Sequence, residues 1–200
     1  MSGSIPRSTR QGRAGRTATR TTAKVVTMST LKRIWIPLAA ASLALATFSA
    51  YAQQNTFSAK MTGASELPEP IPSKATAELK LVVSPDGKKV SYTLTATDIR
   101  NASGADIHLG PDTANGPLVV KLFPVDGATA KKGDFTGVLA EGSFTAADLI
   151  GPLKGSDLSE LIDQIREGNT YTNIHTNDGT GAPNTGPGDY EHGEIRGQIK

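Results

Sequence analysis

Two neighbouring stretches with an apolar residue at every second position restrict the fold of this chain most. Ala75, Ala77, Leu79, Leu81 and Val83 alternate with Thr76, Glu78 and Lys80, a spacing that gathers the apolar side chains on one face of a strand and scatters them around a helix. Val90, Tyr92, Leu94 and Ala96 repeat the pattern after Ser84-Pro-Asp-Gly87, a turn in which Pro presets φ near −65° and Gly accepts φ > 0. The two stretches are expected to form a hairpin.

Shorter segments of the same kind follow or precede it: Phe57 to Met61, Ile107 with Leu109, Leu118 to Phe123, and Phe135 to Leu139. The connection Leu67-Pro-Glu-Pro-Ile-Pro72 is too proline-rich for anything but an extended link. Frequent short strands with tight turns predict an all-β fold, an antiparallel β-sandwich or Greek-key barrel. One segment departs from it. Leu158, Leu161, Ile162 and Ile165 recur at helical spacing behind Asp157, with Glu160 placed for a capping box and Gly168 just past the end. They predict one short helix over about 157–167, its apolar stripe covering an open end or edge of the sheet.

Charge divides the chain. Eight of the 21 basic residues (Arg7, Arg10, Arg13, Arg16, Arg20, Lys24, Lys32 and Arg33) precede residue 53 and no acidic residue does, leaving 13 basic against 19 acidic groups beyond it, a formal charge of −6. A net-acidic domain lacks the basic stripe that neutralises phosphates, so no nucleic-acid partner is expected. Lys32-Arg33, the apolar run Ile34 to Phe48 and the triplet Ala50-Tyr51-Ala52 have the layout of a signal peptide over residues 28–52. Cleavage near Ala52/Gln53 would deliver the remainder to the periplasm or outside the cell with no stable membrane span. Residues 1–27 lack acids and core-forming residues, and read as a non-native or disordered extension before the start at Met28. Residues 53–200 are long enough for a single domain with its own core. The chain has no cysteine, which excludes disulfides, thiolate catalysis and cysteine metal sites.

The last third holds the most distinctive residues. Tyr171-Thr-Asn-Ile-His-Thr176 is followed, after a Gly-rich loop, by Gly193-Glu-Ile-Arg-Gly-Gln-Ile199. In the second segment Ile195, Gly197 and Ile199 alternate with Glu194, Arg196 and Gln198. That is a strand with one apolar and one polar side, its glycines marking a bulge or a close backbone approach. These residues, with Phe57-Ser-Ala59, Gly63 to Pro68, Asp106-Ile-His-Leu-Gly110 and Asn115-Gly-Pro-Leu-Val-Val-Lys-Leu122, resemble the signature of the chordin-domain (CHRD) family of extracytoplasmic β domains. The resemblance covers Thr56 to Lys200 and implies a β fold and an exported location. Where the family commonly reads His-Ile-His, this chain reads Asp106-Ile107-His108, with a carboxylate in place of one imidazole.

There are three histidines, His108, His175 and His192. If Ile107 and Ile174 face the core, Asp106 and His108 share the opposite side of one strand, and Tyr171, Asn173 and His175 share the opposite side of another. Were those strands neighbours, Asp106, His108, His175 and His192 would form a set able to ligate Zn²⁺ or Cu²⁺. Without adjacency, each histidine simply hydrogen-bonds backbone or a carboxylate. Asn173, Glu194 and Arg196 complete the candidate binding face, although Glu194 and Arg196 also fit the role of a structural charge pair that fixes strand register. The oxygen-rich loop Asn177 to Asp189 does not have the order of an EF-hand and reads as a surface loop.

No nucleotide-binding, phosphate-loop or nucleophile-elbow motif is present, so no enzyme activity is expected. Three readings stand side by side: a non-catalytic binding module for a protein or glycan of the envelope, a Zn²⁺- or Cu²⁺-binding protein, and a purely structural exported domain. Three histidines without cysteine cannot build the two-metal, disulfide-tethered site of a copper-zinc dismutase.

Overall fold

The computed structural model describes residues 55–124 and 130–200; the amino-terminal extension, signal segment and cleavage position read from the sequence lie outside them. The described residues form seven strands: β1 (Thr56–Thr62), β2 (Thr76–Val83), β3 (Val90–Leu109), β4 (Leu118–Phe123), β5 (Lys131–Phe144), β6 (Thr170–Thr176) and β7 (Ile195–Gln198). Among the described residues a single α-helix, α1 (Leu158–Arg166), precedes β6. The predicted hairpin is β2–β3, paired from Val83↔Val90 to Thr76↔Thr97, with the Gly87 N–H donating to the Ser84 carbonyl at 2.9 Å in the turn.

β3 carries the architecture. Ala102 pairs with Lys131 of β5 and with Thr176 of β6, so these partners must lie on opposite edges of β3; β2 and β5 likewise flank its first half. One edge of β3 therefore serves β2 and then β6, and the other serves β5 and then β4. Between the two halves Asp98 and Asn101 adopt positive φ (55° and 51°), an uncommon conformation for side-chain-bearing residues that redirects the strand. The ring then closes through β6–β7 and β7–β1, where Thr62 pairs with Arg196 and Ser58 exchanges backbone hydrogen bonds of 2.8 and 2.9 Å with Lys200. All pairings are antiparallel, and the sandwich-or-barrel expectation resolves as a barrel.

The inward faces are those the alternation predicts: Phe57, Ala59 and Met61; Leu79 and Leu81; Leu94; Ala105 and Ile107; Ile174; Ile195 and Ile199 form one buried apolar cluster. α1 contributes Leu158, Leu161, Ile162 and Ile165 to it, all buried. The expected capping box at α1 is absent, since the Asp157 side chain makes no capping bond. A nine-residue helix with four buried apolar residues is held by packing rather than by its ends. A capping box does occur at a 3₁₀ turn before it, between Thr145 and Asp148. The following turn donates the Ile150 N–H to Val119 O at 2.9 Å and so covers the outer edge of β4. No helix among the described residues is long and apolar enough to cross a membrane.

The glycines in and just before the last strand mark the close approach read from the sequence. A side-chain carbon on Gly197 would collide with the Lys60 carbonyl of β1, and one on Gly193, at φ 129°, would strike the Glu66 carboxylate and the Asn173 amide.

Candidate metal centre on the outer face of the barrel

β3, β6 and β7 turn a second, polar face away from the barrel interior. Register sets its composition: Asp106↔Asn173↔Arg196 and His108↔Tyr171↔Gln198 run across the three strands, with Gly104↔His175 beside them. The strands carrying Asp106/His108 and Tyr171/Asn173/His175 are thus direct neighbours. This face would be open to solvent on a bare barrel, yet Tyr171, Asn173, Glu194 and Arg196 are all buried. Three loops, 63–75, 110–117 and 177–193, lie over it.

β7 fastens those loops. Glu194 accepts from Ser73 Oγ (2.6 Å), Thr176 Oγ1 (2.6 Å) and the Gly188 N–H (2.7 Å), tying the first and third loops to the strand. Arg196 donates to Pro111 O (2.9 Å), Ala114 O (3.0 Å) and Asn115 Oδ1, holding the second. Gln198 Nε2 donates to Gly110 O (2.9 Å) and Gly168 O (2.7 Å). Glu194 and Arg196 do not pair with each other. Each is a buried polar group satisfied by its own loops, and together with Gln198 they account for the alternation of charge along this strand.

Asp106, His108 and His175 converge, each offering one ligand atom, with all three atoms within 4.8 Å of one another. His108 Nδ1 lies 3.0 Å from Gly116 O, and His175 Nδ1 lies 2.7 Å from Glu191 O. A carbonyl oxygen can only accept, so both Nδ1 atoms carry hydrogen and both Nε2 atoms of the neutral rings are bare acceptors. Neither Nε2 has a hydrogen-bond partner and both are buried. His175 Nε2 nevertheless stands 3.3 Å from Asp106 Oδ2. The two observations agree once the hydrogen is placed on Nδ1: a lone pair then faces a carboxylate oxygen, and such a contact is favourable only with a proton or a cation between them.

The electrostatics follow from this geometry. Burial lowers the His175 pKa, but the Asp106 carboxylate, the Glu191 carbonyl and Glu66 outweigh it, and the net shift is upward. Burial likewise lowers that of His108, here only partly offset by Gly116 O and Asp106, which favours the neutral ring. Glu66, from the loop before β2, is pushed up to about 7 by burial despite the attraction of Arg196 and His175. Its Oε1 has no partner, and neither does Asn173 Oδ1 nearby.

Access is from the side. An open cleft of about 350 Å³ is lined by Gly104, Asp106, Lys121, Phe123, His175 and Glu191. A second, of about 390 Å³, opens on Glu66, Asp112 and Arg196. A larger cleft of about 720 Å³, beside Phe57, Ile165 and Ile199, touches none of these polar groups.

His192, the remaining histidine of the predicted set, sits exposed in the turn 191–192 and is not among the three that converge. Asn173 and Arg196 lie on the predicted face, and Glu194 adjoins it. The sequence reading missed Glu66, whose only signal is its place in the motif Gly63 to Pro68. It also missed Gly116 and Glu191, which act through backbone carbonyls that no side-chain pattern reveals. The loop 177–193 closes on itself. Asn177 Oδ1, Asp178 Oδ1 and Asp189 Oδ2 accept from Gly179, Thr180 and Thr185 of the same loop.

No curated protein and no solved structure matches the chain. The family model of the CHRD domain matches residues 57–183, from β1 into the loop that covers the histidines. That stretch exceeds half of the chain and includes all three converging residues, and the protein therefore belongs to the CHRD-domain family.

Proposed function

We propose that this protein is an exported, non-catalytic binding module whose ligand is a divalent transition-metal ion, Zn²⁺ or Cu²⁺, held by Asp106, His108 and His175. The observation that carries the reading is the pair of buried, unpartnered Nε2 atoms in a cluster with one carboxylate, that of His175 being 3.3 Å from Asp106 Oδ2, with each ring fixed by its other nitrogen on a backbone carbonyl. Metal-binding histidines are oriented by such a second bond, which sets the tautomer and raises the basicity of the free nitrogen. In a tetrahedral zinc site with bonds of about 2.0–2.1 Å the ligand atoms stand about 3.3 Å apart. Asp106 Oδ2 and His175 Nε2 already have that spacing. Two imidazoles and a carboxylate suit Zn²⁺ and Cu²⁺ over the softer ions that thiolates select. Three protein ligands leave a coordination position for water or for a donor from a protein or glycan of the envelope.

Export rests on the order Lys32-Arg33, Ile34 to Phe48, Ala50-Tyr51-Ala52. The test of the metal reading is titration calorimetry of chelator-treated, tag-free protein with Zn²⁺ and with Cu²⁺, alongside a His108→Ala, His175→Ala double variant. One ion per chain in the parent and none in a folded double variant is the expected result. Equal binding by both proteins would place the metal elsewhere and favour a purely structural domain.

A further inference from the structure

The Arg196 guanidinium, Tyr171 ring and His108 ring lie in one stack. The guanidinium carbon is 3.5 Å from the centroid of the Tyr171 ring. The rings of Tyr171 and His108 are stacked at 4.9 Å with only 12° between their planes. Resting on the metal reading above, we infer that Arg196 is a positioning residue of the site, fixing the plane and tautomer of the His108 imidazole without touching the ion.

Two routes connect them, and they meet at one peptide. The first is the stack. The Arg196 guanidinium carbon sits close over the Tyr171 ring and His108 lies nearly parallel to the same ring, so a tilt of that ring would disturb both the cation–π contact and the imidazole stack. The second is the loop 110–117. Arg196 holds it at Pro111 O, Ala114 O and Asn115 Oδ1, and Asn115 in turn donates to Leu67 O at 3.0 Å. The next residue, Gly116, accepts the His108 Nδ1 hydrogen at 3.0 Å. Tyr171 also closes on Gly116, its hydroxyl accepting from the Gly116 N–H (3.1 Å) and donating to Gly116 O (3.3 Å). The carbonyl that decides which His108 nitrogen is free is thus held from both sides by groups that Arg196 organises.

A planar fork able to stack and to bond three acceptors at once is a property of arginine and not of lysine. His175 is set independently, by Glu191 O from the loop 177–193. A fault at Arg196 should therefore disturb one ligand of the three.

The experiment compares the full chain with Arg196→Lys, Arg196→Met, Tyr171→Phe and Tyr171→Leu. It measures Cu²⁺ and Zn²⁺ affinity, the copper spin-resonance spectrum, and the His108 ring tautomer by nitrogen-15 resonance in metal-free protein. Tyr171→Leu and Arg196→Met are expected to weaken binding about 10–100-fold, the usual cost of losing an outer support of a metal ligand. They should also alter the copper spectrum and shift His108 from a single Nδ1–H tautomer to a mixture. Tyr171→Phe, which keeps the stack but loses both bonds to Gly116, and Arg196→Lys should fall between these and the parent. If Arg196→Met does not fold, those two milder variants decide. Folded variants with the parent's affinity, spectrum and tautomer would overturn the inference. A parent that binds neither ion refutes the metal reading, and the tautomer in metal-free variants still shows whether Arg196 positions His108.

Discussion

The barrel interior and the layer over its outer face are both buried, and they are built from opposite chemistry on the same strands. Along β7 and the residues that flank it, Ile195 and Ile199 face the apolar interior while Glu194, Arg196 and Gln198 face loops. Interior positions contribute by area removed from water, at roughly 25 cal/mol per Å², and tolerate any residue of similar size and polarity. The outer layer contributes by completed hydrogen bonds, each worth little net but costly to leave half made. A barrel can thus be stable with its interior alone, while the arrangement of the histidines depends on the outer layer.

The sharpest way to separate the two is a core truncation far from the histidines. Leu79→Ala on β2 is expected to cost about 2–5 kcal/mol in chemical denaturation and to leave metal affinity unchanged. Altered affinity in the folded variant would show that the layers are not separable.

The second contrast is pH. Glu66 has its pKa raised from 4.5 to about 7, so between those values the unfolded chain loses a proton that the folded one keeps, and stability falls as pH rises. The shift of about 2.5 units corresponds to on the order of 3 kcal/mol, fully present below pH 4.5 and lost above 7. His175, also raised, acts in the same direction, whereas His108, lowered, costs stability as pH falls through its folded value. Glu66→Gln removes the largest of these. The difference in unfolding free energy between variant and parent should swing toward the variant by up to about 3 kcal/mol from pH 5 to pH 8. A constant difference would mean that Glu66 is solvated.

Glu194→Gln exchanges one acceptor oxygen for a donor within a group that receives three hydrogen bonds, and should cost about 1–3 kcal/mol. Amide exchange at Gly188 should accelerate while that of the β2–β3 hairpin stays as in the parent; unchanged protection at Gly188 would free Glu194 of its fastening role. The smallest effect belongs to neither layer: Val138 on β5 is 52% exposed, and Val138→Thr should change stability by no more than about 0.5 kcal/mol.

The sequence makes the interior legible and the outer layer only partly so. Alternation from Ala75 to Ala96 is enough for the β2–β3 hairpin, because a half-buried strand has one period and a tight turn has few solutions. The same alternation places Asp106, His108, Asn173 and His175 on outward faces. Their adjacency depends on β3 bending at Asp98 and Asn101 to meet β6, which no local pattern encodes. Glu194 and Arg196 read as a charge pair that fixes register, and not as fasteners of separate loops, because alternation reports which side of a strand a residue occupies and says nothing of what covers that side. His192 lies near the same signature residues in sequence, yet the turn at 191–192 leaves it exposed and apart from the other two histidines. The capping box expected at Asp157 fails for a related reason, since a helix with four buried residues needs no end bond.

The two halves of β3 also set an order of events. Its first half meets β2 across the Ser84–Gly87 turn, a nearby partner with a small entropy of closure, whereas its second half meets β6 only after some sixty intervening residues have been brought round. Asp106 and His108 therefore face His175 only when β6 has paired with the second half of β3, and local contacts precede that step. During refolding a metal ion would find its three ligands together only after that pairing, so the moment at which bound copper acquires its final spectrum would time the docking of β6 on β3.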